Sequence, residues 1–159
     1  YLYCPVEVQQ RVFRQQLMLA EELNLPVVMH SREAEADTLK ILKEIPVKSL
    51  GVAHSFTSSF EMARTLVEMG WYLGINGIVT FKNAEDLREV VHWLPLEKML
   101  LETDSPFLTP VPFRGKPNKP AHIPVIANFI AELRDISLQE LAEQTNENAQ
   151  RLFKLPQES

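Results

Sequence analysis

The sequence predicts an α/β protein: one parallel β-sheet whose strands alternate with helices. Three observations predict it. Four apolar runs, at residues 26–30, 50–54, 71–75 and 98–104, are too brief for helices and are bounded by Pro, Gly or polar residues. Between them lie longer segments whose apolar residues recur every three or four positions. Strand and helix therefore repeat with a period of about 25 residues, and such alternation demands parallel strands joined by right-handed crossovers. Either an open doubly wound sheet or part of a (β/α)8 barrel satisfies the pattern.

The first helix runs from Pro5 to about Asn24, with Val8, Val12, Leu19 and Leu23 as its apolar face and "LNLP" as its close. "PVVMH" is the first strand, since it is β-branched and starts at Pro26. "EAEADTLKILKEI" is the next helix, stopped by Pro46. "SLGVAH" is the second strand, "SSFEMARTLVEM" a helix closed by Gly70, and "WYLGI" the third strand, followed by an "NG" turn. "NAEDLREVVHWL" is a helix with Asn83 as expected N-cap and Asp86 three residues on. "KMLLETD" is the fourth strand. From Ser105 to Pro124 there are six prolines and an "RGKPN" turn, so this segment is a long ordered loop. Two or three helices finish the chain: "VIANFIAELR", one capped by Ser137 with Glu140 three residues later, and "ENAQRLF".

The 159 residues suffice for one domain with a real core. No stretch approaches the roughly 18–20 apolar residues of a membrane span. Cys4 is the only cysteine, which excludes a disulfide framework and a cysteine zinc cage and suits a reducing, cytoplasmic setting. A net charge of −5 argues against a general electrostatic grip on nucleic acid, although Arg32, Arg114, Lys116 and Lys119 could still form a local basic site. Residue 1 is Tyr rather than Met, so the start reads as a cut and a missing targeting segment carries no meaning.

The chemistry lies at the strand ends. Side chains alternate along a strand, so Val28 and His30 share a face, as do Leu50, Val52 and His54, and Leu100, Glu102 and Asp104. Three of the four strands thus deliver a His, a His and an Asp at their carboxyl ends. Imidazole nitrogen and carboxylate oxygen are ligands for Zn²⁺, Mn²⁺ and related ions, and barrel enzymes keep their chemistry at this end. Taken singly, a strand-end histidine is more often a hydrogen-bonded structural residue, and an Asp before Ser-Pro is commonly a turn residue. Three in register, with no counterpart in "WYLGI", leave a metal or catalytic site and the structural reading evenly weighed. Glu102, one pleat below Asp104, is expected to partner a neighbour, because an unpaired buried carboxylate is costly. Arg32 either reaches a phosphate or pairs with Glu33 or Glu35, and Arg114 and Asn118 either hold substrate or shape the loop. His92 is expected at a helix surface and His122 in a loop.

The segments "LPVVMHSREAEADTL", "AHSFTSS", "GINGIVTFKNAEDLREVV", "PLEKMLLETDSPFLTPVPFRGKPNKPAHI" and "TNENAQRLF" resemble, in order, the carboxyl-terminal part of TatD-family metal-dependent deoxyribonucleases. "LLETDSP" and "RGKPN-x-P" are the most specific blocks. The resemblance implies a (β/α)8 TIM-type barrel of which residues 1–159 hold strands five to eight, four βα units plus terminal helices, with no second domain. It implies one or two divalent ions (Mg, Zn or Mn) at the barrel mouth and hydrolysis of phosphodiester bonds in DNA, with single strands or 3′ ends as partner and 3′→5′ exonuclease action. By match, His30 is the fifth-strand ligand, His54 the sixth-strand ligand and Asp104 the eighth-strand ligand, with Asp104 also a candidate to accept the attacking water's proton. Arg32 and Arg114 are the candidate phosphate contacts. The family's His-x-His and Glu ligands precede "YLYCP", and "HSFTSS" and Lys119 depart from commoner forms. Half a barrel leaves two unpaired parallel edges, which predicts poor folding alone or self-pairing. Another metal-dependent barrel hydrolase, acting on amides, lactones or phosphotriesters, and an inactive scaffold are the alternatives.

Overall fold

The structure, a computed structural model, describes residues 4–48 and 50–156, so the readings on Tyr1 to Tyr3 and on Ser49 lie outside the described residues. The chain runs α1 (Val6–Leu23), β1 (Val27–Met29), α2 (Glu35–Glu44), β2 (Gly51–Ala53), α3 (Phe60–Glu68), β3 (Tyr72–Ile75), α4 (Glu85–Trp93), β4 (Met99–Leu101), α5 (Ile123–Arg134) and α6 (Leu138–Phe153). The strands lie in the order β1-β2-β3-β4 and every neighbouring pair is parallel. This is the sheet that the βα alternation predicts, and no helix among the described residues is long and apolar enough to cross a membrane.

Register assigns the two faces. Val28, Val52 and Tyr72 are aligned on one face, with Gly74 paired to Leu100 farther along it. Met29, Ala53, Leu73, Ile75 and Met99 point the other way and join Leu17, Ile41, Leu42, Met62, Leu66, Val90 and Ile130 in the main core. The first face carries a smaller cluster of Val52, Tyr72, Leu100 and Leu152. Buried between sheet and helices, the main core is the layer that makes α2 to α5 cohere with the sheet.

The strands are shorter than predicted, and the difference falls at the functional end. β1 stops before His30, β2 before His54, and β4 at Leu101 rather than Asp104. Ladder bonding nevertheless carries on: the His54 N–H donates to Met29 O (2.8 Å) and the Glu102 N–H to Ile75 O (3.1 Å). Leu50 is not a strand residue. Its φ of 59° is left-handed, and the regular strand begins only at Gly51.

One further expectation needs correction, and two are made specific. α4 is capped by Ala84, not Asn83: the Ala84 carbonyl accepts the Arg88 N–H at 3.0 Å, and no side chain caps the helix. Glu85 and Asp86 in the first turn supply the charge that favours a helix N-terminus. α6 is one continuous helix from Leu138, because nothing between Ser137 and Phe153 interrupts it; Ser137 Oγ accepts the Glu140 N–H at 3.0 Å. In α1 the periodic face is the uncovered one. Val12, Leu19 and Leu23 are 44%, 45% and 55% exposed, and only Leu17 is buried. α1 leans sideways on α2 through the Arg14–Glu44 ion pair, which leaves that face without cover among the described residues.

Besides the packing of Leu152 near Leu100, α6 is hydrogen-bonded to the start of the fourth strand through one buried side chain. Asn148 is fully buried, and its Nδ2 donates to Leu96 O and Met99 O, each at 2.8 Å. This sets the near end of β4, whose far end leads to Glu102 and Asp104.

Candidate metal centre

His54 stands between two carboxylates. Its Nδ1 lies 3.0 Å from Glu102 Oε2, and its Nε2 lies 3.2 Å from Asp104 Oδ1. The end of β2 and the segment after β4 are brought together by two strands of ladder, so the meeting follows from the sheet rather than from loop placement. Glu102 has a second anchor: its Oε1 accepts the Ser55 N–H at 2.5 Å. Ser55 adopts a left-handed φ of 51°, and its Oγ accepts a hydrogen bond from Asn76 Nδ2 at 2.8 Å. Asn76 is buried just beyond β3, and its Oδ1 accepts the Ile78 N–H at 3.0 Å. The "NG" turn is therefore a 3-10 turn capped by Asn76.

The electrostatics follow from this packing. Burial pulls the His54 imidazolium down, but the hydrogen bond and charge of Glu102, then of Asp104, outweigh it, and its pKa lies above the ordinary value. Burial pushes the Glu102 carboxyl up; the His54 hydrogen bond and charge and the Ser55 N–H offset part of that, and Asp104 adds to it. Each group is thus the other's main partner across a 3.0 Å contact, so their titrations are coupled.

His30 follows β1 on the same rim, its ring centroid 6.2 Å from that of His54 and tilted by 51°. It is exposed, and among the described residues it makes no hydrogen bond, so its ring lacks the orienting partner that His54 has. Arg32 is exposed on the following loop. It does not pair with Glu35, whose two oxygens hold the Ser59 N–H and Oγ at 2.7 and 2.6 Å. Arg114 lies over the Phe81 ring at 3.9 Å and makes no hydrogen bond to His54 or Asp104.

Asn118 shapes its loop: Nδ2 donates to Phe107 O at 2.7 Å, and Oδ1 accepts the Lys119 N–H and contacts His122 Nδ1. His122 is buried and stacks on Phe113 at 4.9 Å, while His92 is exposed on α4.

The donors suit a divalent ion in chemistry and spacing. Two ligands each about 2.1 Å from one ion stand roughly 3.0–3.4 Å apart in tetrahedral or octahedral geometry, and His54 Nε2 and Asp104 Oδ1 are 3.2 Å apart. The Glu102 carboxylate behind Nδ1 is the outer partner that metal-bound imidazoles regularly have. The set is open, for no three His, Cys, Asp or Glu side chains among the described residues form a finished ligand group.

Sequence reasoning found His54, Asp104 and a partner role for Glu102, but missed Ser55, Asn76 and Gly74. The available signal was the glycine inside "WYLGI", which in a strand interior marks a close approach. A Cβ built on Gly74 would lie 2.3 Å from Glu102 Oε2.

Comparison with known proteins identifies the family. A family model described as TatD related DNase matches residues 3–154. The chain is 47% identical over 152 residues to the uncharacterized metal-dependent hydrolase YabD of Bacillus subtilis, covering 95% of this chain and 60% of the relative. It is 46% identical over 156 residues to the uncharacterized metal-dependent hydrolase YcfH of Escherichia coli K12, covering 96% and 59%. The chain thus spans about 60% of the length of the curated relatives it matches. The crystal structure of a TatD homologue from Escherichia coli K12 superposes with a TM-score of 0.90 at 35% identity, over 94% of this chain and 58% of that one. A TatD-family hydrolase from Entamoeba histolytica gives 0.83 at 22% identity, over 96% and 58%, a likeness of fold alone. The architecture is accordingly α/β and TIM-barrel-like.

Proposed function

Because the chain belongs to the TatD-related DNase family of metal-dependent hydrolases, we propose that it supplies one side of a divalent-metal centre that hydrolyses phosphodiester bonds in DNA. The 3.2 Å spacing of His54 Nε2 and Asp104 Oδ1, with Glu102 on the other imidazole nitrogen, carries this reading. A divalent ion held there supplies Lewis acidity toward a phosphoryl oxygen and an acidified water nucleophile.

The chain's own residues do the rest. His54 coordinates as a neutral imidazole through Nε2, with Nδ1–H given to Glu102. Asp104 would hold the ion through Oδ1, leaving its second oxygen as the candidate acceptor of a proton from water. His30, exposed on the same rim, would be the third donor to such an ion. Arg32 and Arg114 contact the phosphate through charge-assisted hydrogen bonds; the Arg114 guanidinium, stacked on Phe81, keeps its N–H edge free for an oxygen. The substrate of this reading is single-stranded DNA or a 3′ end, cut from that end, in a cytoplasmic setting that the lone free Cys4 suits. Mg, Zn or Mn serves as the ion, one or two per site.

The test is Mn²⁺- or Mg²⁺-dependent digestion of a short 5′-labelled single strand by the chain and, in parallel, by its longer form if one is made. The reading expects laddering from the 3′ end that EDTA abolishes. It also expects Asp104→Asn to cut the rate by several orders of magnitude with an unchanged circular dichroism spectrum. Near-normal turnover in that variant removes Asp104 from the mechanism.

A further inference from the structure

We propose that Gly74 and Glu102 act together as a positioning device for His54: β3 contributes to the centre by leaving out a side chain, and the Glu102 carboxylate lies in the slot this creates. The inference rests on the metal-centre reading above, and it adds the residue that makes that centre's geometry possible. β2 and β4 each bring an ionisable side chain to this rim, whereas β3, which lies between them, brings the neutral Asn76 just past its end and a bare backbone one pleat before it. Its inward position at the rim is Gly74, aligned with Leu100 of β4.

The slot is tight. A Cβ at Gly74 would stand 2.3 Å from Glu102 Oε2 and 2.6 Å from its Cδ, too close for a Cβ unless the carboxylate moves. Gly74 has no positive φ to explain its identity, since only Gly70 and Gly115 among the glycines have one. Close approach of the carboxylate is therefore the reason for the glycine. Lying flat on the bare backbone, Glu102 reaches His54 Nδ1 with one oxygen (3.0 Å) and the Ser55 N–H with the other (2.5 Å). Both oxygens of the carboxylate are thereby oriented, and the ring can turn neither away from Asp104 nor over by a half rotation. Asn76 holds Ser55 from the opposite side through its Oγ. Three consecutive features of β3 and its end, the missing Cβ at Gly74, the ladder through Ile75 O and the Asn76 amide, thus converge on one imidazole. The result is the neutral tautomer with the proton on Nδ1 and Nε2 free for a cation.

Histidine ¹⁵N chemical shifts of the ion-free chain at alkaline pH, where the ring is neutral, read the tautomer directly, and titration calorimetry with Zn²⁺ reads the consequence. The wild-type chain is expected to show His54 protonated on Nδ1. Gly74→Ala is expected to move the proton to Nε2 and to weaken Zn²⁺ binding about 10–100-fold, the usual cost of losing such a partner. Glu102→Ala does the same, and Gly74→Ala added to Glu102→Ala has no further effect, because the slot is then empty. That double variant also shows whether strand β3 accepts an alanine and folds. The inference is overturned if Gly74→Ala keeps the Nδ1–H tautomer, or if its effect adds to that of Glu102→Ala. A wild-type chain with the Nδ1–H tautomer but no Zn²⁺ binding counts against the metal-centre reading and leaves the positioning device standing.

Discussion

Asn148→Ala tests how the centre is held from below. Asn148 has no exposed surface and gives both Nδ2 hydrogens to carbonyls, Leu96 O and Met99 O, at 2.8 Å each. Each hydrogen bond contributes about 1 kcal/mol net, and a buried carbonyl left without its donor costs roughly 1–3 kcal/mol. Two such bonds put the expected loss at about 2–4 kcal/mol. For a chain of this size each kcal/mol moves the midpoint by roughly 2–4 °C, so thermal unfolding followed by circular dichroism should fall by about 5–15 °C. Asn148→Asp keeps the shape but turns an acceptor toward both carbonyls, and should be at least as damaging. Because β4 is the strand that leads to Glu102 and Asp104, Zn²⁺ binding should weaken in both variants. A loss under about 0.5 kcal/mol for the alanine variant would show that water or neighbouring groups take over both carbonyls, and that α6 does not set the strand.

Three more expectations concern the protons of the centre and the uncovered faces. His54 has a raised pKa, so the folded chain holds that proton more tightly than the unfolded one. Its contribution to stability is complete below the ordinary histidine value of about 6.5 and is lost as pH rises through the raised folded value. Glu102, also raised, runs in the same direction from its own lower range. Urea midpoints of the ion-free chain should therefore fall as pH rises above about 6.5, and Glu102→Gln should flatten that slope; a midpoint that climbs there contradicts the assignment. Zn²⁺ binding has the opposite dependence, strengthening with pH and releasing a proton, which calorimetry in two buffers of different ionisation enthalpy detects. Val12, Met18, Leu19, Leu23 and the sheet residue Val28 are 44–61% exposed, and both edge strands are unpaired among the described residues. The isolated chain should self-associate in size-exclusion chromatography with light scattering, and a monodisperse folded monomer would refute this.

Much of the fold was legible because short β-branched runs and amphipathic segments have different periods, and Pro26, Pro46, Gly70 and Pro95 punctuate them. His54 and Asp104 were legible for the same reason: each ends or follows a run whose alternation gives it a direction. Strand ends were read one to three residues too long, since ladder bonding at His54 and Glu102 outlasts regular strand geometry. Asn83 was read as a cap because its side chain suits one, whereas the helix starts where Ala84 first accepts an N–H. The apolar face of α1 was legible as a periodicity, but periodicity does not show what lies opposite, and among the described residues Val12, Leu19 and Leu23 are exposed. Gly74 was passed over because an absent side chain leaves no mark until the neighbour that fills the space is located. Asn118 and Arg114 sit in one loop with equal sequence credentials, and only the former's contacts give it a structural task.

The most direct measurement is a crystal of the chain soaked in Mn²⁺, with anomalous scattering recorded at a wavelength where manganese absorbs. The account predicts one peak within about 2.0–2.3 Å of both His54 Nε2 and Asp104 Oδ1, with Glu102 still bonded to Nδ1. Strong manganese signal elsewhere, with His54 and Asp104 bonded only to each other, would contradict it.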